Sequence, residues 1–283
     1  MSVAFNVDLK NKVAVVTGGG GVLCSTFAEA LADCGAKIAI LDIRKEQADK
    51  IAEQINKAGG TAIGVEANVL KTDSLEKARK VVNQELGTCD VLLNGAGGNH
   101  PKGTTSKEYL FKEDLENDDL KTFFDLDPEG IQFVFNLNFL GTLLTAQTFA
   151  KDMMDKDTAT IINVSSMNAF APLTKIPAYS GAKAAVSNFT QWLSVHMSKV
   201  GIRVNAIAPG FFLTDQNRSL LTNEDGSFTE RAEKILGQTP MERFGQPSEL
   251  VGTLLWLVDE AASGFVNGTV IPVDGGFSAY SGV

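Results

Sequence analysis

The chain has 283 residues with an ordinary globular composition, 44% hydrophobic and 21% charged, which suits one large domain and argues against disorder. A formal net charge of -9, without a Lys/Arg cluster in the sequence, disfavours a nucleic-acid binder. Cys24, Cys34 and Cys89 show no CxxC spacing, so we expect neither a disulfide framework nor a metal site. Residues 1–12 lack the apolar region of a signal peptide, and no apolar run nears the ~20 residues of a membrane span. We therefore expect a cytoplasmic protein with no membrane or nucleic-acid partner.

Short apolar, β-branched runs alternate with amphipathic segments along the whole chain. The predicted strands are Val13–Val16, Lys37–Leu41, Ala62–Val65, Val91–Leu93, Thr160–Val164, Arg203–Ile207 and Thr269–Val273. The predicted helices include Val22–Cys34, Glu46–Ala58, Ser74–Leu86, Gly130–Asp155 and Pro177–Val200. Alternation of this kind builds parallel sheets through right-handed crossovers. We predict one α/β domain over residues 1–283, a doubly wound parallel sheet of about seven strands with helices on both faces.

Two polar segments interrupt this alternation, residues 98–129 after the fourth strand and residues 211–245 after the sixth. Ligands of open α/β sheets bind beyond the carboxyl ends of the strands, where both segments begin. We predict that both are substrate loops; surface decoration is the alternative.

A glycine-rich turn, Thr17-Gly18-Gly19-Gly20-Gly21, joins the first strand directly to a helix. Such a turn lets backbone N–H groups and the helix N-terminus approach a pyrophosphate. It does not match G-x-G-x-x-G, and a flexible turn is the alternative. The pattern nevertheless favours a dinucleotide site, with Gly18 and Gly19 against the ligand.

Asp42 ends the second strand, roughly 20 positions after the glycine turn. A carboxylate at this position accepts hydrogen bonds from the ribose hydroxyls and repels a 2′-phosphate, which favours NAD over NADP. Arg44 follows closely and weakens the preference, since it can pair with a phosphate. A solvated loop carboxylate is the alternative role of Asp42.

Two further turns of small residues lie at the same edge of the predicted sheet. The fourth strand runs into Asn94-Gly95-Ala96-Gly97, and the sixth ends at Pro209-Gly210. Small residues let the backbone lie close to a bound cofactor, although both segments are also compatible with plain turns. We assign Asn94, Ala96, Gly97, Pro209 and Gly210 to the cofactor site.

Tyr179 and Lys183 are four residues apart on a predicted helix and so share one face. Such pairs are common on surfaces, but Ser166 ends the preceding strand beyond its carboxyl edge and can meet Tyr179 there. A free phenol has a pKa of ~10 and is a poor base at neutral pH, but a nearby ammonium lowers that value. Tyr179 tuned by Lys183 can exchange a proton with an alcohol or ketone while Ser166 holds the oxygen.

The chain resembles the short-chain dehydrogenase/reductase family over nearly its whole length. The resemblance rests on Thr17-Gly18, Asn94-Gly95-Ala96-Gly97, Asn138, Ser166, Tyr179-x-x-x-Lys183, Pro209-Gly210 and Asp274-Gly275-Gly276. It implies a Rossmann-type fold, an NAD(H) cofactor, Tyr179 as the acid/base with Ser166 as its partner, and Lys183 bound to ribose. It also implies that Asn138 supports a water in the proton relay and that Thr214 contacts the nicotinamide carboxamide.

The glycine turn departs from the family pattern, because Val22 and Cys24 replace its last two glycines. Asn68, followed by Val69, replaces an aspartate that is usual near the adenine. By resemblance we still place Val22, Leu23, Asn68 and Val69 at the cofactor.

The polar loops predict a sugar-acid substrate. Asn, His, Lys, Gln and Arg side chains supply donors for hydroxyls and a carboxylate, whereas a long acyl chain or a steroid would need an apolar lining. We assign the carboxylate to Arg218 or Lys102 and the hydroxyls to Asn99 and His100. Alternatively, Arg218 is a surface residue without a substrate contact, and His100 is a capping or packing residue.

Two other functions are compatible with the sequence: a different ketone reductase, of gluconate or 3-oxoacyl type, and a nucleotide-binding sensor without chemistry. Intact Ser166, Tyr179 and Lys183 argue against the sensor. Similar enzymes are usually tetramers that pack their two long helices against partner copies, so we expect a homo-oligomer, with the C-terminal residues Phe277–Tyr280 as a further contact.

Overall fold

The computed structural model describes residues 7–154, 156–214 and 221–282. Its described residues form seven parallel strands: β1 (Val13–Thr17), β2 (Lys37–Asp42), β3 (Thr61–Glu66), β4 (Val91–Asn94), β5 (Ala159–Val164), β6 (Ile202–Pro209) and β7 (Val270–Val273). Their order in the sheet is β3-β2-β1-β4-β5-β6-β7. This order reverses direction between β1 and β4, so the carboxyl ends of these two strands flank a crevice. The predicted fold class is confirmed.

Nine α-helices lie in the part of the chain that the structure describes. They are α1 (Val22–Asp33), α2 (Lys45–Lys57), α3 (Thr72–Glu85), α4 (Pro128–Phe135), α5 (Gly141–Met153), α6 (Pro177–His196), α7 (Glu230–Gly237), α8 (Val251–Val258) and α9 (Glu260–Ser263). None of the helices described is both long and apolar enough to cross a membrane.

Successive residues of β1 face opposite sides of the sheet, and each side has its own core. Ala14 and Val16 belong to a cluster with residues of α1, α2 and α8. Val13 and Val15 belong to a second cluster with residues of α3, α5 and α6. Burial on both faces explains why the strands are almost continuously apolar in sequence.

The helix predicted over Gly130–Asp155 differs from the structure. Its described part begins at Pro128, and a π-helical segment, Asn136–Leu140, separates α4 from α5. One such wide turn inside an α-helix is often found at functional sites. Asn138 lies in its centre and is fully buried. The helix predicted over Pro177–Val200 is α6 followed by a 3₁₀ turn, Ser198–Val200.

The two interrupting segments contain local structure. Residues 98–129 form three short 3₁₀ turns, Pro101–Gly103, Lys112–Glu116 and Phe123–Asp125, before α4 begins. Residues 211–245 contain α7. The first segment is tied to the chain just before α6, because the Thr105 N–H donates to the Lys175 carbonyl at 2.9 Å.

Candidate active site

The turn after β1 and the turn after β4 pack backbone against backbone. The Thr17 hydroxyl accepts hydrogen bonds from the N–H groups of Gly95 at 3.1 Å and Ala96 at 3.3 Å. Gly18 adopts a φ of 62°, and a Cβ atom there would lie 2.8 Å from the Ala96 Cα. Only glycine fits this left-handed, crowded position. The two turns therefore form a rigid floor beside the crevice.

The N-terminus of α1 opens on the same crevice. Gly21 is the N-cap residue and provides no side-chain cap, and Val22 and Leu23 are the first helical residues. The first backbone N–H groups of an α-helix lack intrahelical acceptors and carry the positive end of its dipole, which suits a pyrophosphate. These features fit a dinucleotide.

Cys24 occupies space that Gly95 leaves open. A Cβ atom on Gly95 would lie only 2.2 Å from the Cys24 Sγ. Cys24 is buried, and burial raises the pKa of its thiol to about 12. The departure from the family glycine pattern is therefore accommodated by a neutral thiol that packs under the β4 turn.

Asp42 lies at the end of β2, nine-tenths buried beside the glycine turn. Its carboxylate accepts hydrogen bonds from the N–H groups of Gly20 at 3.1 Å and Arg44 at 3.0 Å. The Arg44 guanidinium lies 3.8 Å from the same carboxylate. Arg44 is thus paired with Asp42, and each carboxylate oxygen keeps a lone pair for a ribose hydroxyl.

The remaining predicted cofactor residues lie at the carboxyl ends of the other strands. Asn68 follows β3, and its Oδ1 accepts the Leu70 N–H at 2.9 Å. Buried Val69 packs against Gly141, and a Cβ atom added to Gly141 would lie 2.8 Å from the Cγ2 atom of Val69. Asn94 is held by the buried Asn163 side chain at 2.9 Å. Pro209 ends β6, and Gly210 and Thr214 follow it. Gly210 lies against the backbone of Asp274, because a Cβ atom added to Gly210 would lie 2.6 Å from the Asp274 Cα.

Ser166 and Tyr179 meet across the end of β5 and the start of α6. The hydroxyl of Ser166 lies beside the Tyr179 phenol, and their interaction acts to lower the pKa of the phenol. Burial is the larger effect, and the pKa of Tyr179 is raised overall. From the sequence we expect Lys183 to lower this pKa; in the structure Ser166 is the group that lowers it.

Lys183 is 4% exposed, and its Nζ donates to the Val164 carbonyl at 2.8 Å. Nζ lies 5.7 Å from the centre of the Tyr179 ring. Burial lowers the pKa of Lys183 to about 8. The ammonium is therefore still mostly protonated at neutral pH, and it lacks an ion-pair partner among the described residues.

Asn138 and Lys183 converge on Gly97. A Cβ atom on Gly97 would lie 2.6 Å from the Asn138 Oδ1 and 3.2 Å from the Lys183 Nζ. Asn138 also donates to the carbonyls of Gly98 at 2.7 Å and Val134 at 2.8 Å. Its Oδ1 accepts the Gly98 N–H at 3.1 Å. The π-helical segment thus connects the start of the 98–129 segment to the neighbourhood of the lysine.

The polar residues at the start of the 98–129 segment bind each other. Asn99 donates to the Thr104 hydroxyl at 3.0 Å. The His100 Nδ1 accepts the Lys102 N–H at 3.2 Å, and its ring lies 5.1 Å from the Phe133 ring. The Lys102 Nζ lies 2.9 Å from Asp127 and 3.5 Å from Glu129. Their predicted contacts with substrate stay predictions, and the Lys102 charge is already balanced by two carboxylates. Arg218 lies outside the described residues.

The sequence did not predict the site contacts of two residues, Thr17 and Asn168. Thr17 was recognised as part of a motif, but the role of its hydroxyl in holding the β4 turn was not. Asn168, two residues after Ser166, lies on the 3₁₀ turn Met167–Ala169 and donates its N–H to the Ser166 hydroxyl at 3.3 Å. No motif signals Asn168; only its nearness to Ser166 in sequence could have indicated it.

Residues 12–225 match the family model described as short chain dehydrogenase. The chain belongs to the short-chain dehydrogenase family. This membership confirms the family resemblance and the prediction of an oxidoreductase. The chain is 59% identical to an uncharacterized oxidoreductase of Haemophilus influenzae over 100% of this chain and 99% of that protein. It is 52% identical to the uncharacterized oxidoreductase UxuB of Bacillus subtilis over 98% of both chains.

Solved structures of short-chain dehydrogenases resemble the whole chain. A candidate D-mannonate oxidoreductase from Haemophilus influenzae, crystallised with bound NAD, is 58% identical, covers 100% of both chains and superposes with a TM-score of 0.95. A gluconate 5-dehydrogenase from Burkholderia cenocepacia, in complex with NADP and tartrate, is 27% identical over 98% of this chain and 99% of that one, with a TM-score of 0.81.

Proposed function

We propose that this protein is an NAD(H)-dependent oxidoreductase that interconverts a secondary alcohol and a ketone of a sugar acid, namely D-mannonate and D-fructuronate. The observation that carries the proposal is the meeting of Ser166, Tyr179 and Lys183 at the carboxyl edge of the sheet, beside the glycine turn. Asn138 completes the group through Gly97.

The crevice between the β1 and β4 turns holds the dinucleotide in this proposal. The residues assigned to it are Gly18, Gly19, Val22, Leu23, Asp42, Asn68, Val69, Asn94, Ala96, Gly97, Tyr179, Lys183, Pro209, Gly210 and Thr214. The N-terminus of α1 faces the pyrophosphate, and Asp42 accepts from the adenosine ribose. Its buried carboxylate repels a 2′-phosphate, which favours NAD(H) over NADP(H).

Tyr179 supplies the proton. The nicotinamide, when bound, donates a hydride to the ketone carbon or accepts one from the alcohol carbon. In reduction, the Tyr179 hydroxyl donates its proton to the substrate oxygen, which Ser166 holds by a hydrogen bond. In oxidation, the phenolate takes the proton back. The Lys183 ammonium, buried without a counter-ion among the described side chains, binds the ribose hydroxyls.

The assignment of the sugar acid rests on the two polar segments and on similarity. Residues 98–105 and 211–218 resemble the short-chain form of D-mannonate oxidoreductase, also called fructuronate reductase. The related candidate D-mannonate oxidoreductase from Haemophilus influenzae supports this assignment. We assign the hydroxyls to Asn99 and His100 and the carboxylate to Arg218, or to Lys102 if it exchanges its two acidic partners for substrate.

A different sugar-acid or ketone reductase is the second candidate. The chain is 31% identical to a 5-keto-D-gluconate 5-reductase of Escherichia coli and 32% identical to a 3-oxoacyl-[acyl-carrier-protein] reductase of Synechocystis, each over 95% of its length. A non-catalytic sensor has no use for a Ser166 hydroxyl placed beside the Tyr179 phenol, which argues against that alternative.

The decisive experiment is a substrate panel with purified protein. Oxidation of NADH is followed by its absorbance with D-fructuronate, D-tagaturonate, 5-keto-D-gluconate and an acetoacetyl thioester, and each reaction is repeated with NADPH. The proposal predicts the highest kcat/KM with D-fructuronate and NADH. Preference for 5-keto-D-gluconate or for the thioester would replace it with the second candidate, and cofactor binding without turnover of any ketone would favour the sensor.

We further propose a cytoplasmic homo-oligomer, most simply a tetramer, formed through the faces of α4–α5 and α6. Phe135 on α4 and Trp192 and Val195 on α6 are 37%, 57% and 75% exposed in the single chain. Light scattering coupled to size-exclusion chromatography should give four times the 30.2 kDa mass of the chain. A monomeric mass would contradict this proposal.

A further inference from the structure

The 98–129 segment exposes a cluster of large apolar side chains. Six of them lie between residues 109 and 124, and each is between 47% and 71% exposed in the single chain. We call these six residues the apolar patch: Tyr109, Leu110, Phe111, Leu115, Phe123 and Phe124.

Hydrogen bonds hold the two arms of the patch side by side. The Ser106 N–H donates to the Lys121 carbonyl at 2.8 Å, and the Lys121 N–H donates to the Ser106 hydroxyl at 2.9 Å. Tyr109 and Phe123 line one shallow cavity, and the rings of Phe123 and Phe124 lie 5.6 Å apart. The two arms therefore present one apolar surface rather than scattered side chains.

The size of the patch indicates what kind of partner covers it. A large side chain presents about 150–250 Å², so the six together leave roughly 600–700 Å² in the open at their observed exposures. The largest apolar patch of a typical monomer is about 300–600 Å², and a stable protein interface buries about 800 Å² on each side. The patch therefore suits another protein surface rather than a small ligand.

The exposed face of α6 offers a matching surface on a second copy of this chain. Ala184 and Asn188 lie on this face in the first part of the helix, and the exposed Trp192 and Val195 lie on it near the end. Two such faces fit best in antiparallel orientation about a two-fold axis, because the large residues of one helix then meet the small residues of the other. The register that sets Trp192 opposite Ala184 also sets Val195 opposite Gly181.

This orientation brings the end of one α6 to the start of the other. The 98–129 segment lies at the start of α6. Its Thr105 N–H donates to the Lys175 carbonyl at 2.9 Å. A Cβ atom added to Gly103 would lie 3.6 Å from the Ala178 Cβ. In an antiparallel pair, the apolar patch of one copy therefore lies near the C-terminal end of α6 of the other copy.

We propose that the apolar patch packs on the C-terminal end of α6 of a second copy, against Val195 and Val200 of that copy, both of which are exposed in the single chain. The contact holds the 98–129 segment in place. The substrate side of each site is then completed by a neighbouring copy, while the cofactor crevice lies within one copy. The inference rests on the proposed function and the proposed homo-oligomer, and it adds which surfaces meet and what their contact does for the site.

Photo-crosslinking tests the contact. The photoreactive residue p-benzoylphenylalanine replaces Phe124, the protein is irradiated, and a covalent dimer on a denaturing gel reports a link between two copies. Mass spectrometry of that dimer should place the link within residues 192–200. The same probe at Val81, an exposed residue of α3, is the control and should not link to these residues. An oligomeric protein that gives no covalent dimer from position 124, or a link elsewhere, would overturn the inference.

Kinetics test what the contact does for the site. Phe123→Ser with Phe124→Ser and, separately, Val195→Asp should each raise the KM for D-fructuronate by about 5- to 10-fold, because a segment that is in place only part of the time binds substrate correspondingly less. Val195 lies about 24 Å along α6 from Tyr179, so its effect reaches the site of the neighbouring copy. The Kd of NADH, measured by its fluorescence, should not change. Val81→Ser is the control and should leave the KM unchanged.

The outcomes separate this inference from the proposals on which it rests. An unchanged KM in both patch and helix variants would overturn the claim that a second copy completes the site. A monomeric wild-type protein would overturn the homo-oligomer and this inference but not the proposed function. A wild type inert toward D-fructuronate would overturn the proposed function, whereas the crosslink from position 124 would still decide the contact.

Discussion

Asn138 and Gly98 are joined by a two-way hydrogen-bonded link: the Asn138 Nδ2 donates to the Gly98 carbonyl at 2.7 Å, and its Oδ1 accepts the Gly98 N–H at 3.1 Å. Through this link one buried side chain in the π-helical segment fixes the place where the 98–129 segment leaves β4. The same Oδ1 lies beside Gly97, and the Lys183 Nζ lies beside Gly97 as well. The site and the loop that borders it are therefore anchored by the same amide.

Asn138→Ala should lower both stability and activity. Loss of buried hydrogen bonds leaves the Gly98 and Val134 backbone groups unpaired, which costs about 1–3 kcal/mol of the free energy of unfolding. We expect kcat to fall by a larger factor, about 100-fold or more, because the proton relay and the loop lose their common anchor. Steady-state kinetics and urea unfolding measure the two effects.

Asn56→Ala is the control for Asn138→Ala. The Asn56 side chain makes the same two-way link to Ala62, at 2.9 and 2.7 Å, at the far end of α2. Its loss should lower stability similarly and leave kcat unchanged. An equal loss of kcat in both variants would show that the Asn138 effect is purely structural.

Lys183→Met should stabilise the fold at neutral pH while it abolishes activity. Burial lowers the pKa of Lys183 from 10.5 to about 8, so the folded state bears the cost of a buried charge below about pH 8. Between about pH 8 and pH 10.5 the unfolded chain binds more protons than the folded one, so the free energy of unfolding of the wild type rises with pH. The variant should be more stable by about 1–2 kcal/mol at pH 7, after the loss of the hydrogen bond to Val164, and this advantage should shrink toward pH 10.

Urea unfolding at several pH values measures this difference. Lys199→Met, which replaces an exposed lysine, should show no comparable dependence on pH. A stability difference between Lys183→Met and wild type that stays constant from pH 7 to about pH 10 would contradict the assigned burial of the charge.

Asp42→Asn should weaken the preference for NAD(H). The substitution keeps one oxygen, for the N–H group of either Gly20 or Arg44, leaves the other N–H group without its acceptor, and removes the charge that repels a 2′-phosphate. We expect the ratio of kcat/KM for NADH over NADPH to fall about 10-fold, and Asp42→Arg to favour NADPH further. Glu66→Gln, at the paired position of β3, is the control and should not change the ratio. An unchanged ratio in Asp42→Arg would count against the ribose contact.

Lys175→Gly should stabilise the protein. Lys175 has a φ of 70°, a left-handed conformation that costs a residue with a Cβ about 1 kcal/mol or more and that glycine adopts freely. We expect a higher Tm by differential scanning calorimetry. Lys199→Gly, where φ is not positive, should instead lower the Tm. A lower Tm for Lys175→Gly would mean that contacts of the lysine side chain outweigh the strain.

The sheet order and strand positions follow from the sequence because buried parallel strands leave continuous apolar runs between amphipathic helices. The Tyr179–Lys183 pair and Ser166 are found from sequence for a similar reason: strand ends and helix periods place them at one edge. Such patterns cannot show the π-helical segment at Asn138, since hydrophobic periodicity does not resolve one widened turn.

Burial and pairing are the other properties that the sequence does not contain. The sequence predicts that Lys183 lowers the pKa of Tyr179. The pKa of the phenol is instead raised by burial, which depends on the packed structure. The two carboxylates around Lys102 come from residues distant in sequence. Charge and residue type alone therefore identify candidate substrate groups but not which of them are free to bind.

The rate of NADH oxidation with D-fructuronate, measured for the wild-type protein and for Tyr179→Phe, tests the role of Tyr179 directly. We expect turnover by the wild type and a loss of at least about 100-fold in kcat for the variant, which lacks only the proton donor, with the Kd of NADH nearly unchanged. Turnover by Tyr179→Phe at the wild-type rate would show that Tyr179 does not transfer the proton.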